Sequence, residues 1–409
     1  MKDKQIEKLI NAEEARQRKN ISLIASENYV SDDVLLALGS KFTNKYSEGY
    51  PGKRYYKGQT FTDKIEELCW ERALKLFKLS KEKWAVNAQA LSGSPANLAV
   101  YVALVPQGGK VMGMSLDHGG HLTHGHKVSA TGKFWTQIPY GVNKDTEVLD
   151  YEEIKKLAIA EKPNMIIVGY TAYPRIVDFK KFREIADACP NIDSNGRACG
   201  AILMVDMSHF AGLVAGEAYP SPFPYADVVT TTVHKTLRGP RSALIFARKD
   251  KTQTSAKGNQ ISFADLIDKA IFPGLQGGPH MNQIAAVAVA LKEASTPAFK
   301  KYAKQVIKNA QVLSSELKKL GWKIISGGTD SHLILVDTWM SGKGMSGAEA
   351  SEKLEKVGII VNKNTIPNET RTPFDPSGIR LGTAGETTRG AKEKDMIKLA
   401  KRIDSALKA

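Results

Sequence analysis

Lys235 is set in Val229-Thr-Thr-Thr-Val-His-Lys-Thr-Leu-Arg-Gly-Pro-Arg241, between a histidine and a run of hydroxyls, directly after an apolar, β-branched segment. Solubility alone does not ask for a lysine in such a setting. A strand-end lysine among small polar residues suits covalent work, condensing as an amine with a carbonyl to give a Schiff base. Upstream, Gly200-Ala-Ile-Leu-Met-Val-Asp-Met-Ser-His209 is a second apolar run and carries a carboxylate, Asp206. A Schiff-base lysine with an aspartate for a pyridinium nitrogen is the pairing that pyridoxal 5'-phosphate chemistry on an amino acid requires.

Four further segments carry chemistry. Ser92-Gly-Ser-Pro-Ala-Asn97 precedes an apolar helix beginning at Leu98. Ser92, Gly93 and Ser94 at a helix N-terminus would form an anion site, because free N–H groups and the helix dipole point at the ligand. In isolation the segment reads as an ordinary N-cap; beside a pyridoxal site it reads as a phosphate cradle. Asp117-His-Gly-Gly-His-Leu-Thr-His-Gly-His126 holds four of the eight histidines. Metal binding is one reading, weakened by the glycines and by the lack of a nearby cysteine or acidic cluster. The other is an imidazole stacked on a flat cofactor ring, with His121 the candidate. Ser377-Gly-Ile-Arg-Leu-Gly-Thr383 offers Arg380, either a surface charge or a bidentate fork for a carboxylate. Ile379 and Leu381 beside it predict a strand on which Arg380 faces the other way. Asn44-Lys-Tyr-Ser-Glu-Gly-Tyr-Pro-Gly-Lys-Arg-Tyr-Tyr56 is either a surface turn or a site loop bearing phenols and a proton-transfer carboxylate, Glu48.

Alternating elements must position these groups. Residues 1–20 are highly charged with isolated apolar positions (Ile6, Leu9, Ile10) and predict an N-terminal helical arm packed on a partner. Ile65, Leu68, Cys69, Ala73, Leu76 and Phe77 follow a helical period. Asp150 and Glu153 predict a capping box for a helix that Pro163 ends, and Met165-Ile-Ile-Val168 a buried strand. Further strands are expected at 201–206, 227–233 and 242–247. Helices interleaved with apolar strands predict an α/β fold with a mostly parallel sheet. A charged helix at 297–320, a strand at 332–336, a helix at 348–357 and a strand at 359–361 predict a smaller α/β C-terminal domain. The expected boundaries are 1–20 for the arm, 21–290 for a large domain and 291–409 for a small one. Gly342-Lys-Gly-Met-Ser-Gly347 matches G-x-G-x-x-G, but Asp337-Thr-Trp-Met intervenes after the preceding strand and the next strand ends in Asn362. A dinucleotide fold places those glycines right after its first strand with an acidic residue about 20 residues on, so this segment reads as a loop of the small domain.

The 409 residues are 42% hydrophobic and 25% charged, an ordinary globular composition. No apolar run is long enough for a membrane span, and Met1-Lys-Asp-Lys-Gln-Ile-Glu lacks the apolar core of a secretory signal. Three cysteines, Cys69, Cys189 and Cys199, predict free thiols in a reducing, cytoplasmic compartment. The net charge of +15 is compatible with a solvated basic surface or with attraction of small anions. The basic residues are scattered at helical spacing, so no specific nucleic-acid partner is expected.

Together these segments resemble serine hydroxymethyltransferases over nearly the whole chain, from Leu23-Ile-Ala-Ser-Glu-Asn28 to Ser377-Gly-Ile-Arg380, in the expected order. The most specific stretches are residues 46–52, 119–125, 205–209, 230–241 and 277–280. The resemblance implies an aspartate aminotransferase-like large domain with a mostly parallel mixed sheet. It also implies a homodimer with shared active sites, pairing into a tetramer being left open. Its cofactor is pyridoxal 5'-phosphate, and its reaction moves the hydroxymethyl carbon of serine to the co-substrate tetrahydrofolate, leaving glycine. Lys235 is then the Schiff-base lysine and Asp206 the partner of the pyridine nitrogen. His121 stacks on the ring, with His209 and Thr171 by the cofactor phenolate. Ser92, Gly93, Ser94 and His234 hold the phosphate, helped by Tyr46 and Gly278 of the partner subunit. Arg380 holds the substrate carboxylate, with Ser26 and the partner's Tyr56 nearby. Glu48 of the partner subunit transfers the proton, and Leu122 and Asn364 contact the pterin.

The chain departs from the family pattern at Thr171 (usually serine), Gln59-Thr60, His126 and a longer stretch at residues 189–198, expected as a surface insertion. The competing readings are a folate-independent pyridoxal phosphate aldolase for β-hydroxy amino acids, a basic RNA-binding protein that kept the fold, and a nicotinamide oxidoreductase. Glu48, Asn364 and the histidine loop favour the hydroxymethyltransferase over the aldolase, and Lys235, Asp206 and Arg380 argue against a protein without catalysis.

Overall fold

The computed structural model describes residues 1–192, 199–255, 258–341 and 343–409. Its central feature is a seven-stranded sheet built from β1 (Trp84–Asn87), β2 (Lys110–Met114), β3 (Thr136–Tyr140), β4 (Met165–Gly169), β5 (Ile202–Asp206), β6 (Val228–Thr232) and β7 (Ala243–Arg248), in the spatial order β1-β7-β6-β5-β4-β2-β3. The neighbours from β6 through β3 are parallel, and β7 is antiparallel to both β6 and β1. Six strands therefore point one way, and their C-terminal ends share one edge.

The strands read as unbroken apolar runs because both faces are covered. Ile166, Val168, Leu203 and Val205 enter one core with Phe182 and Phe210. Met165, Ile167 and Met204 alternate into a second core with Ala96, Val100 and Leu104 of the helix Gly93–Leu104. That helix is fixed by burial, with six of its residues in the interior.

A four-stranded antiparallel sheet forms from β8 (Lys323–Ile324), β9 (Leu333–Asp337), β10 (Asn362–Asn364) and β11 (Gly378–Gly382), ordered β8-β9-β11-β10. Its core takes Ile334, Val336, Ile379 and Leu381 with apolar residues of the helices Pro297–Lys319, Gly347–Lys356 and Glu393–Lys408. The helix Pro297–Lys319 starts from a Thr296 cap with proline in its first turn, the preferred start signal. Ile359–Ile360 pairs in parallel with Ile21–Ser22 and not with the four-stranded sheet. Gly358 takes a left-handed φ of 77° just before it, and the chain enters the small sheet only at Asn362.

The N-terminal helix spans Lys4–Lys19 and buries no residue of its own. Asp150 caps the helix Tyr151–Glu161 by accepting from the Glu152 and Glu153 backbone N–H groups. Ser346 caps Gly347–Lys356, so the G-x-G-x-x-G run leads into a helix of the four-stranded sheet's core; Gly342 itself lies outside the described residues. Most of the 189–198 stretch, residues 193–198, likewise lies outside them. Among the described residues no helix is long and apolar enough to cross a membrane, and no cluster of His, Cys, Asp or Glu is arranged to hold a metal.

Candidate active site

Loops leaving the C-terminal ends of β1, β2, β4, β5 and β6 converge on a cavity of about 240 Å³. Ser26, Ser92, Gly93, Ser94, His121, Thr171, Asp206, His209, His234 and Lys235 all line it. Asp206 is the last residue of β5 and pairs in register with Thr230 of β6, so the carboxylate and Lys235, just beyond β6, come from adjacent strand ends. This is the edge at which open α/β sheets place their ligands.

Asp206 is buried and fully engaged. Its Oδ1 accepts from the Ser208 N–H (3.0 Å) and Oγ (2.5 Å); its Oδ2 accepts from Asn97 Nδ2 (2.9 Å) and His124 Nε2 (3.2 Å). His124 Nδ1 accepts the His121 backbone N–H (3.3 Å), which leaves Nε2 as the nitrogen that carries the proton toward Asp206. Burial opposes the Asp206 charge. The His124 hydrogen bond, the His124 and His121 imidazoles and Ser208 outweigh it and hold the carboxyl well below the usual carboxylate range.

The basic groups are shifted the other way. Burial pulls the Lys235 ammonium down to about 8, Arg380 and Arg241 adding repulsion and Asp206 opposing. An amine so placed reaches its neutral, nucleophilic form near physiological pH. Burial, with His124 and Lys235 adding, lowers His121 to about 4, and its Nδ1 accepts from the Thr123 N–H (3.1 Å), leaving a neutral flat ring. His209 is lowered by burial and then by Lys235 and Arg380, and its Nδ1 lies 3.2 Å from His332 Nε2 with the two rings stacked.

The anion end of the cavity is unfilled by the chain itself. Ser92 makes no side-chain cap bond at the start of Gly93–Leu104, so the first N–H groups of that helix are left to another acceptor. Among the described residues, His234 Nδ1 and Thr232 Oγ1 are buried without a hydrogen-bond partner, a costly state that a bound acceptor relieves. A Cβ at Gly93 would stand 2.8 Å from Thr232 Cγ2, so only glycine leaves this wall open. These features fit the phosphate of a pyridoxal cofactor, and Asp206 and Lys235 line the same cavity for its ring and aldehyde.

Arg380 lies on β11, opposite in facing to Ile379 and Leu381, as the alternation predicts. Its guanidinium donates to the Thr171 carbonyl (2.7 Å) and to Asn362 Oδ1 (2.7 and 3.3 Å), and burial lowers it to about 10. Thr171 Oγ1 donates to the Gly120 carbonyl (2.8 Å). Leu122 is exposed, and Asn364 is half-buried at the end of β10.

Tyr46, Glu48, Tyr56 and Gly278 gather elsewhere. Tyr56 Oη donates to Glu48 Oε2 (3.1 Å), the Tyr46 and Tyr56 rings meet edge-on at 5.8 Å, and a Cβ at Gly278 would stand 3.3 Å from the Tyr46 ring. None of the four lines the Lys235 cavity. The residue types split into two groups within one chain. Asn97, His124, Ser208, Arg241 and His332 belong with the site and had no assigned role in the sequence reading. The first four stand inside its chemistry-bearing segments; His332 gave no signal beyond being a polar residue at the head of an apolar strand.

A mixed seven-stranded sheet with one antiparallel strand, a lysine and an aspartate at its carboxyl edge and a helix N-terminus for phosphate define a fold-type I pyridoxal phosphate enzyme. A family model described as serine hydroxymethyltransferase matches residues 1–403. A protein of Desulfotalea psychrophila named serine hydroxymethyltransferase is 52% identical over 402 residues, covering 98% of this chain and 88% of the relative. One of Koribacter versatilis with the same name is 51% identical over 394 residues, covering 96% and 86%. The chain belongs to the serine hydroxymethyltransferase family, whose enzymes use pyridoxal phosphate with tetrahydrofolate as co-substrate. The aldolase alternative is not favoured by these relatives.

Proposed function

We propose that this chain catalyses reversible transfer of the serine hydroxymethyl carbon to tetrahydrofolate, giving glycine and 5,10-methylenetetrahydrofolate. The observation that carries the reading is the cavity in which neutralisable Lys235, ionised Asp206 and an uncapped helix N-terminus meet. Bound pyridoxal phosphate supplies an electron sink for the pair released when the Cα–Cβ bond of serine breaks. Asp206 would face the pyridine nitrogen and keep it protonated. His121 would lie against the ring; Ser92, Gly93, Ser94 and His234 would hold the phosphate; His209 and Thr171 would stand by the phenolate oxygen. Arg380 offers its fork to the substrate carboxylate, with Ser26 beside it. Leu122 and Asn364 serve the pterin.

The remaining groups would come across a subunit boundary. Glu48 of the partner subunit takes the proton from the serine hydroxyl as the carbon leaves and returns it in the reverse direction. The partner's Tyr46, Tyr56 and Gly278 complete the phosphate and carboxylate ends. Two observations support a homodimer: this cluster stands apart from the Lys235 cavity of its own chain, and the Lys4–Lys19 helix exposes Ile6, Leu9 and Ile10. The large domain at 21–290, the small domain at 291–409 and a cytoplasmic location complete the reading.

The test is product formation from serine and tetrahydrofolate, combined with subunit mixing. Alone, Lys235→Ala should be inactive and Glu48→Gln should keep only a small residual rate. Co-denatured and refolded together, they should recover about a quarter of the parent rate, because half of the dimers then contain one intact site. No recovery would contradict shared sites, and cleavage without any need for folate would contradict the transferase.

A further inference from the structure

Glu48 sits in a tight hairpin, Gly49–Tyr50 paired with Lys53–Arg54. Gly49 has a left-handed φ of 93°, and a Cβ there would collide with the Lys53 carbonyl. Such a hairpin is too short to hold a side chain in place by its own pairing. The Arg54 side chain supplies what the hairpin lacks. It turns inward, 3% exposed, and its Nη1 donates to the carbonyls of both residues flanking Glu48: Ser47 (2.8 Å) and Gly49 (2.7 Å). Its other nitrogens are taken by Asp63 Oδ1 (2.9 Å) and by Glu66 Oε2 (2.6 Å), whose side chain is fully buried. Gln89 closes the ring, donating to Glu66 Oε1 (2.8 Å) and again to the Gly49 carbonyl (3.0 Å). The Glu48 carbonyl itself accepts from the Tyr55 N–H (3.1 Å).

We infer that the buried Arg54–Glu66–Gln89 cluster is a positioning device for Glu48: it clamps the backbone on either side of the proton-transfer carboxylate, so that this group meets the hydroxyl of the serine bound by the neighbouring subunit in one fixed attitude. The inference rests on the hydroxymethyltransferase reading. The choice of arginine follows from the task. Only a planar fork can serve two carbonyls and two carboxylates at once, and lysine keeps the charge while losing that geometry. A cluster needed only for stability would have no reason to converge on residues 47 and 49.

The experiment is a double-mutant cycle between Arg54→Lys and Glu48→Gln in the cofactor-loaded enzyme. It reads folate-dependent kcat, KM for serine, visible absorbance of bound cofactor and thermal midpoint. Arg54→Lys should lower kcat roughly 10- to 100-fold, the cost of a misplaced reacting group, with KM for serine and cofactor absorbance unchanged. Placed on Glu48→Gln, the same change should cost nothing further. Gln89→Met, which spares the ion pair, should show a smaller loss of the same kind and covers the case in which Arg54→Lys fails to fold. Parent kcat in a folded Arg54→Lys or in Gln89→Met overturns the clamp, and so does a loss undiminished in the Glu48→Gln background. Parent kcat in Glu48→Gln itself overturns the assignment of Glu48 and leaves the clamp without an object.

Discussion

Replacing Asp206 by asparagine keeps shape and removes the charge, and the site's hydrogen bonds set the consequence. Asparagine must point its NH2 group at one of two donor pairs. Toward Oδ2 it meets Asn97 Nδ2, fixed because Asn97 Oδ1 already accepts from Thr230 Oγ1 (2.7 Å), and His124 Nε2, fixed because Nδ1 accepts a backbone N–H. Toward Oδ1 it meets the Ser208 N–H, which cannot turn, and the Ser208 hydroxyl, which can. The cheaper orientation leaves one unavoidable donor–donor conflict, about 1–3 kcal/mol of folding stability. The loss to catalysis is larger, because the pyridine nitrogen loses its buried counter-charge. Breaking a buried pair costs about 3–5 kcal/mol, a fall of ~10²- to 10⁴-fold in turnover. Chemical denaturation measures the first quantity, and turnover at full cofactor occupancy, monitored by absorbance, measures the second. An Asp206→Asn protein that binds the cofactor and turns over at the parent rate would refute the assignment of the ring-nitrogen partner.

Other substitutions separate the parts of the site. Arg380→Lys keeps a cation but cannot grip a carboxylate with two parallel bonds; KM for serine should rise by ~10- to 100-fold, about one charge-assisted hydrogen bond of 1.5–3 kcal/mol, while cofactor absorbance is unchanged. Gly93→Ala pushes a methyl group into Thr232, so equilibrium dialysis should show cofactor affinity weakened by ~10-fold or more for a lost phosphate contact. In the cofactor-free protein the rate of cofactor attachment should rise with pH up to about 8 and then level off, following the neutral amine of Lys235. The linked stability has a definite sign. Folded Lys235 releases its proton near 8 against 10.5 for the free side chain, so the unfolded chain binds more protons between those values and stability rises with pH across that window. A pH titration of attachment rate and denaturation midpoint checks both.

How much was legible in sequence depended on whether a residue's partner is local. Lys235 and Asp206 were readable because β-branched apolar runs end at them, and Arg380 because Ile379 and Leu381 alternate around it. The direction of β7 was not readable: Ala243–Arg248 is buried on both faces, and its apolar residues would look the same in a parallel strand. Ile359–Ile360 had the composition of a small-sheet strand, but its partner, Ile21–Ser22, lies at the other end of the chain. Asn97, His124 and His332 escaped assignment because hydrogen bonds set their roles with residues 109, 82 and 123 positions away. Periodicity says which face a residue takes; it says nothing about which polar atom folding will bring to meet it.

The central claim is that one site couples a lysine-bound cofactor to folate. An absorbance spectrum of the purified, cofactor-loaded protein, recorded alone, with glycine and then with tetrahydrofolate, tests it most directly. A visible band that is absent from Lys235→Ala, with a strong longer-wavelength band appearing only when folate joins glycine, is the predicted result. No visible band after incubation with pyridoxal phosphate, or a glycine response that folate leaves unchanged, would contradict it.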